Sequence, residues 1–387
     1  MIYLDNQATT PLDPRVLDAM LPYMTTKFGN PSSAHHYGRE ARDAVEESRK
    51  QLCRLLGACS TREVVFTSGA TESNNLAIKG VVGALGDRGN HVITTAIEHK
   101  SLLATCAQLE DAGVAVTYLP VARDGRVDPQ RLKEAITPYT ILVSVMHANN
   151  ETGALQPLEE IGSVTRPRGV LLHTDAVQSV GTVPFDVDRL GVDLASVSGH
   201  KLYGPKGIGA LYVRRTGRSV PLEAQMAGGN QEQGLRSGTL NVPGIVGLGR
   251  AAALLTEERE AVACHTMRLR ERFWMGLLDS LDEVQLNGSL HHRLPGNLNV
   301  SFAGMEAADL LASMPDVALS EGSACGSGHA APSHVLTAMG VTREQARGAV
   351  RISVGRFNTE TDIELALNRI IHAVRRTRRR LGPTPGP

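Results

Sequence analysis

The sequence predicts an α/β fold built on a mainly parallel, seven-stranded sheet, and three observations lead to this prediction. After Gly57, short apolar runs alternate with stretches of helical periodicity. Several runs are apolar on both faces, which is typical of a parallel sheet covered by helices on both sides. Polar residues follow the runs, at the edge where such sheets bind ligands. The runs span residues 64–66, 91–95, 114–119, 141–146, 170–173, 194–197 and 210–213.

The chain outside these runs predicts a second, smaller α+β domain. A strand-like run at 2–4 is followed by helical patterns at 15–26 and 39–56, and helices dominate again from about Asn241 to Leu281. Strand-like runs return at 297–302 and 351–354. We therefore predict a large domain over 15–255 and a small domain formed by 1–14 and 256–387. We interpret the arginine cluster in the last helix as a solvated helix end, with an interaction patch as the alternative.

Composition disfavours several classes of partner and site. Of 387 residues, 42% are hydrophobic, and 40 Lys and Arg balance 40 Asp and Glu. This balance does not indicate nucleic acid or a membrane surface as a partner, and no apolar run is long enough to span a bilayer. The five cysteines are odd in number and contain no C-x-x-C pair, so we expect neither a disulfide framework nor a metal site. Because the first residues lack a signal-peptide pattern, we expect a cytoplasmic location.

Lys201 is the first candidate for covalent chemistry. It follows the run at 194–197 and precedes glycines and a proline, so it lies in a loop at the end of a predicted buried strand. Shielding from water lowers the pKa of a lysine, and the neutral amine can form a Schiff base with an aldehyde. The alternative, an exposed loop lysine, is the commoner case for any single lysine, so the neighbouring motifs decide.

Two motifs upstream of Lys201 favour the covalent interpretation. Residues 66–73 (FTSGATES) place small residues at the start of a predicted helix, where N–H groups and the helix dipole attract a phosphate; an ordinary N-cap is the alternative. Asp175 ends a buried strand, where a carboxylate needs a partner. A phosphate loop, a carboxylate and a lysine on successive strand ends suit pyridoxal 5′-phosphate. A nucleotide is disfavoured because the chain has neither a Walker motif nor G-x-G-x-x-G.

Ten segments carry a resemblance that covers nearly the whole chain in order. They are 3–11 (YLDNQATTP), 29–33 (GNPSS), 66–79 (FTSGATESNNLAIK), 97–100 (IEHK), 148–153 (ANNETG), 173–178 (HTDAVQ), 198–207 (SGHKLYGPKG), 234–239 (GLRSGT), 322–325 (GSAC) and 351–357 (RISVGRF). In these segments the chain resembles the cysteine desulfurases of the NifS/IscS type, within the class V aminotransferase-like family. The resemblance implies the type I fold of pyridoxal-phosphate-dependent transferases. It also implies an enzyme that converts L-cysteine to L-alanine.

The resemblance implies a role for each matching residue. Lys201 would hold pyridoxal 5′-phosphate, and His99 would stack on its ring and transfer protons. The other cofactor-binding residues would be Asp175 at the ring nitrogen, Gln178 at the phenolic oxygen, Ala70, Thr71, Ser198 and His200 at the phosphate, and Thr239 reaching the phosphate from the second subunit of a homodimer. Asn150, which also contacts the cofactor, and Arg351 would bind the substrate carboxylate.

Cys325 carries the prediction about sulfur. It lies among small residues in 320–328 (SEGSACGSG), which predicts a loop that moves, whereas most cysteines behave as small buried hydrophobes. The resemblance implies that Cys325 takes the sulfur as a persulfide and delivers it to an acceptor, such as an iron–sulfur scaffold protein. Glu321, Asn230 and Gln233 depart from the usual family pattern, and a carboxylate at Glu321 would raise the pKa of a nearby thiol.

Two other functions stay open from the sequence. One is a different reaction on the same cofactor, either transamination or selenocysteine cleavage, and a cysteine in a mobile loop disfavours plain transamination. The other is a non-catalytic binding protein of a sulfur pathway, which the presence of Lys201, Asp175 and Arg351 disfavours. The sequence does not distinguish iron–sulfur assembly from tRNA thiolation or another use of the sulfur.

Overall fold

The computed structural model describes residues 1–321 and 332–381, which form thirteen strands and eleven α-helices. The strands are β1 (Ile2–Tyr3), β2 (Val64–Thr67), β3 (His91–Thr95), β4 (Ala115–Leu119), β5 (Thr140–Ser144), β6 (Leu171–Asp175), β7 (Leu194–Ser198), β8 (Gly209–Val213), β9 (Val284–Leu286), β10 (Asn297–Phe302), β11 (Val317–Ala318), β12 (Ser320–Glu321) and β13 (Ala349–Ser353). The helices are α1 (Pro14–Thr25), α2 (His36–Leu56), α3 (Ala70–Leu85), α4 (Lys100–Asp111), α5 (Pro129–Ala135), α6 (Leu158–Thr165), α7 (Val242–Ser280), α8 (Ala307–Ala312), α9 (His334–Ala338), α10 (Arg343–Arg347) and α11 (Glu360–Leu381).

Seven strands form one sheet in the order β2-β8-β7-β6-β5-β3-β4. Only β8 runs against the others, since it pairs antiparallel with both β2 and β7 while the remaining pairs are parallel. The seven predicted runs are these seven strands, so the predicted α/β fold with a mainly parallel sheet is confirmed. The ends of β2, β3, β5, β6 and β7 therefore meet at one edge, where a ligand of such a sheet binds.

Both faces of this sheet are buried over its central strands, where successive side chains point to opposite sides and are all buried, whereas the edge strand β4 is partly exposed. Leu171 packs into a core with residues of α3 and α4, whereas Leu172 packs into a second core with residues of α2 and α7. A strand buried on both faces has few positions for solvated polar side chains, which is why apolar residues dominate these runs. The polar residues within them, such as His91 and His173, are buried and hydrogen-bonded.

A second, four-stranded antiparallel sheet has the order β12-β13-β10-β9 and a core of its own. The start of the chain joins this part: β1 pairs with β11, and Leu4 accepts a backbone hydrogen bond from Ser353 at 2.7 Å. The helical region after Asn241 is a single helix of 39 residues, whose first turns pack in the large core up to Leu255 and which enters the second core from Leu269. The domain boundaries stay a prediction. Within the described ranges, no helix is long and apolar enough to cross a membrane.

Candidate active site

One cavity of about 610 Å³ lies at the carboxyl edge of the large sheet. Most of the predicted site residues line it, although they come from distant parts of the chain. They are Ala70, Thr71, His99, Asn150, Asp175, Gln178, Ser198, His200, Lys201 and Arg351. The fold brings them together because most of them follow the ends of strands of the large sheet, while Arg351 comes from β13 of the second sheet.

Lys201 ends a short 3₁₀-helix that begins directly after β7. Its Nζ donates hydrogen bonds to the backbone carbonyls of Gln7 and, at 2.7 Å, of Ala8. Burial and, to a smaller extent, the positive charge of Arg351 together lower the pKa of this amine to about 8, against the opposing effect of Asp5 and Asp175. A large fraction of such lysines is neutral near pH 8, so the amine is a competent nucleophile.

Asp175 is the last residue of β6 and is 6% exposed. One carboxylate oxygen accepts a hydrogen bond from Asn74 Nδ2 at 3.0 Å, and the other accepts one from the backbone N–H of Val177 at 3.0 Å. Both partners are neutral donors that hold the carboxylate in place without cancelling its charge. A cationic ring nitrogen of a ligand in the cavity would supply the positive charge that balances this carboxylate.

The N-terminus of α3 forms another wall of the cavity. Gly69 precedes this helix of 16 residues, and no side chain caps it. The N–H groups of the first turn and the helix dipole therefore remain available for an anion. Gly69 also lies close to Gly209, since a Cβ on Gly209 would come within 2.7 Å of the Gly69 Cα. Only glycine at position 209 allows this approach of the loop to β8.

His200 and Ser198 also line the cavity. Burial, together with the charges of Lys201 and Lys206, lowers the pKa of His200 to about 4. The imidazole is therefore neutral near pH 7, and its Nδ1 lies 3.2 Å from the Thr9 hydroxyl. A neutral imidazole can still donate one hydrogen bond to an anion.

Arg351 lies opposite, on β13, and its side chain is 3% exposed. The guanidinium donates to Asp5 Oδ1 at 2.8 Å and to the backbone carbonyl of Asn150 at 2.8 Å. Asp5 Oδ2 also accepts a hydrogen bond from the Ser320 hydroxyl at 2.7 Å. The arginine is thus held in a fixed orientation, as a fork for a carboxylate must be.

Two of the predicted residues are not among the described residues that line the cavity. Thr239 is exposed and is absent from the described residues that line the cavity of its own chain. Cys325 lies outside the described residues. Gln178 lines the cavity, and its Nε2 donates to the Gln7 carbonyl at 3.1 Å.

Several residues to which the sequence interpretation gave no role belong to the site. Gln7 and Ala8 hold the lysine, Asp5 pairs with the arginine, and Glu151 lies on the cavity wall. Burial raises the pKa of Glu151 to about 7, and its carboxylate accepts a hydrogen bond from Ser333. The segments that contain them, YLDNQATTP and ANNETG, are polar stretches beside apolar runs, and that contrast was the available signal.

Comparison with known proteins gives the class of this chain. The model of the aminotransferase class-V family matches residues 2–366, and the chain belongs to this family. A cysteine desulfurase IscS from Anaeromyxobacter dehalogenans (strain 2CP-C) is 54% identical over 378 residues, which are 97% of this chain and 93% of that protein. A second, from Rickettsia felis, is 50% identical over 97% of this chain and 92% of that protein.

A solved structure agrees with these relatives. A NifS-like protein superposes with a TM-score of 0.90 at 40% identity, covering 97% of this chain and 99% of that one. The protein is thus an enzyme of the cysteine desulfurase type, which confirms the family and the function that the sequence motifs indicated.

Proposed function

We propose that this enzyme uses pyridoxal 5′-phosphate to convert L-cysteine to L-alanine and that Cys325 passes the sulfur to acceptor proteins. The observation that carries the proposal is the content of one cavity of about 610 Å³. A lysine of lowered pKa, a strand-end carboxylate, an uncapped helix N-terminus and a buried arginine all face it. These are the groups that this cofactor and an amino-acid substrate require.

The residues present fit the cofactor. The backbone at Gly69 faces open space, because a methyl group there would meet nothing within 4 Å. The phosphate would lie at this helix end, held by Ala70, Thr71, Ser198 and His200. Asp175 would pair with the ring nitrogen, Gln178 and Asn150 would contact the ring substituents, and Lys201 would hold the aldehyde carbon. When bound, the cofactor supplies an electron sink for negative charge at the substrate α-carbon.

The substrate would be bound through its carboxylate by Arg351. The guanidinium already has one bond to the Asn150 carbonyl and one to Asp5. We infer that the substrate carboxylate shares or replaces the contact with Asp5. His99 lines the same cavity and would hold a proton near the substrate.

Cys325 would attack the substrate sulfur. In register, Ser320 on β12 lies opposite Arg351 on β13, so the described strand ends beside the proposed carboxylate site. A chain of five residues spans at most about 17 Å, which sets the reach from Ser320 to position 325. The Cys325 thiolate would attack the sulfur of the substrate. The carbon–sulfur bond of the substrate would break with its electrons going to carbon, and Cys325 would keep the substrate sulfur as a persulfide.

A serine variant tests this step. Cys325→Ser should keep its cofactor and bind cysteine but lose steady sulfur release, because a hydroxyl is a far weaker nucleophile. Cys59→Ser is the matched control, since Cys59 is an exposed free cysteine that is remote in sequence from position 325. After brief exposure to cysteine, mass spectrometry of a tryptic digest should show extra sulfur on Cys325. Undiminished desulfuration in Cys325→Ser would contradict the proposal.

We also propose a cytoplasmic homodimer in which Thr239 completes the partner's phosphate site and whose acceptor is an iron–sulfur scaffold or another sulfur-accepting protein. The exposure of Thr239 supports its role across a subunit interface. Mixing Lys201→Ala chains with Thr239→Val chains should restore activity that neither homodimer has, because one site of each mixed dimer is intact. An active monomer in sedimentation would contradict the dimer.

A further inference from the structure

A chain of hydrogen bonds connects Asp175 to His99 behind the cavity wall. Asn74 is fully buried, and its Nδ2 donates to Asp175 Oδ2 at 3.0 Å and to the Ser101 hydroxyl at 3.1 Å. The Ser101 hydroxyl lies 2.8 Å from His99 Nδ1, and the backbone N–H of Ser101 donates to the same nitrogen at 3.2 Å. The proposed mechanism uses Asp175 and His99, the two ends of this series of hydrogen bonds, but it uses neither Asn74 nor Ser101.

The direction of each bond follows from the chemistry of the partners. A carboxylate only accepts, so Asp175 requires the NH₂ side of the Asn74 amide to face it. The second hydrogen of that NH₂ group goes to the Ser101 oxygen. The Ser101 hydroxyl hydrogen is then free to point to His99 Nδ1. A backbone N–H can only donate, so Nδ1 of the neutral imidazole must be the unprotonated nitrogen.

We propose that Ser101 and Asn74 are positioning residues that hold His99 in the tautomer protonated at Nε2, so that it faces the substrate as a proton donor. The consequence for catalysis rests on the proposed function, whereas the tautomer itself does not. In this state Nε2 can give a proton but cannot take one. Protonation at Nδ1 would require both Ser101 donors to be lost.

The burial of His99 and the charges around it also favour the neutral imidazole. Burial lowers the pKa of His99, the charges of Lys201, His334 and Lys100 lower it further, and the carboxylate of Asp175 opposes them. Among the described residues, the groups that act most strongly on the imidazole are therefore Asp175 from β6, Lys100 from α4, His334 from α9 and Lys201 from the 3₁₀-helix after β7. The neutral state that the hydrogen-bond chain requires is therefore the state that the electrostatics favour.

The inference is tested by NMR on the full-length protein with ¹⁵N-labelled histidine, recorded with and without pyridoxal 5′-phosphate. The His99 signals are identified by their loss in His99→Gln. Wild type should show the pattern of an imidazole protonated at Nε2. In Ser101→Ala, Nδ1 keeps only one donor, so the His99 pKa should rise by roughly half a pH unit or more. In Ser101→Asp, a carboxylate acceptor replaces the hydroxyl donor and stabilises the imidazolium, so the His99 pKa should rise further than in Ser101→Ala.

Ser163→Ala is the matched control, because the Ser163 hydroxyl bonds only to a backbone carbonyl within its own helix region. It should leave both the His99 tautomer and the His99 pKa unchanged. An Nδ1-protonated His99 in wild type, or an unchanged tautomer and pKa in both Ser101 variants, would overturn the inference. Absence of alanine formation with an unchanged Nε2 tautomer would count against the proposed function instead, so the two failures are distinguishable.

Discussion

The reactivity of Lys201 depends on its burial. Because the pKa of Lys201 is lowered to about 8, the neutral fraction rises steeply as the pH increases through this value. A lysine of ordinary pKa would be almost fully charged over the same range. The carbonyls of Gln7 and Ala8 orient the amine at the cavity wall.

We therefore expect cofactor-free protein to take up pyridoxal 5′-phosphate covalently at a rate that rises between pH 7 and pH 9 with a midpoint near 8. The measurement is the visible absorbance of the attached cofactor after mixing, at several pH values. Lys201→Ala should show no covalent attachment while keeping the fold. A flat rate profile over this range would mean that Lys201 is not the titrating nucleophile.

Arg351 gives a second prediction at the scale of one residue. Arg351→Lys should raise KM for L-cysteine by at least about tenfold with a smaller change in kcat, because a single ammonium cannot form the two-pronged contact with a carboxylate. Arg347→Lys is the control: Arg347 is exposed and forms only a 3.4 Å pair with Glu306. Equal KM values in the two variants would remove Arg351 from substrate binding.

The sequence predicted the residues at strand ends far better than their supporting contacts. Lys201, Asp175 and Arg351 lie in recognisable motifs. The strand-end placement of Lys201 and Asp175 follows from the pattern of apolar runs, whereas Arg351 lies within β13. Asp5 and Asn74 act through partners more than 100 residues away in the chain, and no local pattern reveals such a pairing. The tertiary fold alone determines which buried polar groups meet.

At the scale of elements, the contact between β8 and the loop before α3 shapes the proposed phosphate site. Gly209→Ala would place a Cβ 2.5 Å from the Val197 carbonyl oxygen and 2.7 Å from the Gly69 Cα, so the backbone must shift. We expect the affinity for pyridoxal 5′-phosphate to fall by at least about tenfold, since N–H groups that bind an anion must be held in place.

Fluorescence titration of cofactor-free protein measures this affinity. Gly86→Ala, at the other end of α3, is the control, because its Cβ would meet only the Val82 carbonyl at 3.4 Å. Unchanged affinity in Gly209→Ala would show that the loop position does not matter for the phosphate.

The arginine cluster of α11 also has a role between elements. Arg375 donates to the Ser280 carbonyl at 2.8 Å, and Arg378 donates to the Asp282 carbonyl at 2.8 Å. These carbonyls lie at and just after the C-terminal end of α7, where cations are favourable. The sequence pattern indicated only a solvated end of the last helix. It did not indicate the contacts with the end of α7, because periodicity does not show which neighbouring helix a side chain will reach.

At the scale of the whole molecule, buried titratable groups give the fold a pH dependence. Burial raises the pKa of Glu98 to about 8, and this carboxyl is fully buried. Its contribution to stability is complete below the unfolded pKa of about 4.5 and is lost as the pH rises through the folded pKa. Burial lowers the pKa of His147 to about 4 and of His173 to about 3, so their contributions are lost instead as the pH falls below about 6.5.

Between pH 7 and pH 9, the free energy of unfolding should therefore fall less in Glu98→Gln than in wild type. This prediction concerns the change with pH and does not depend on the stability of the variant at pH 7. Urea unfolding at matched cofactor content, followed by circular dichroism, measures the difference between the two proteins at each pH. The buried histidines are neutral in this range and cancel in that difference. Parallel pH profiles of the two proteins would show that Glu98 does not titrate.

The general architecture followed from the sequence because a doubly covered sheet leaves a strong signal of apolar runs. The position of the junction between the two cores could not be predicted from the sequence, since α7 continues through residue 255 without a break and contributes to both cores. We keep the boundaries at 14/15 and 255/256 as a proposal, which limited proteolysis tests.

We propose that the cavity around Lys201 and Arg351 is where sulfur is removed from L-cysteine. The most direct measurement is the amount of alanine and of sulfide formed from L-cysteine by the purified enzyme with pyridoxal 5′-phosphate and a thiol reductant. We predict equal amounts of the two products, and loss of both in Lys201→Ala by a factor of at least about 1,000. Formation of pyruvate in place of alanine, or equal alanine formation in Lys201→Ala, would contradict the account.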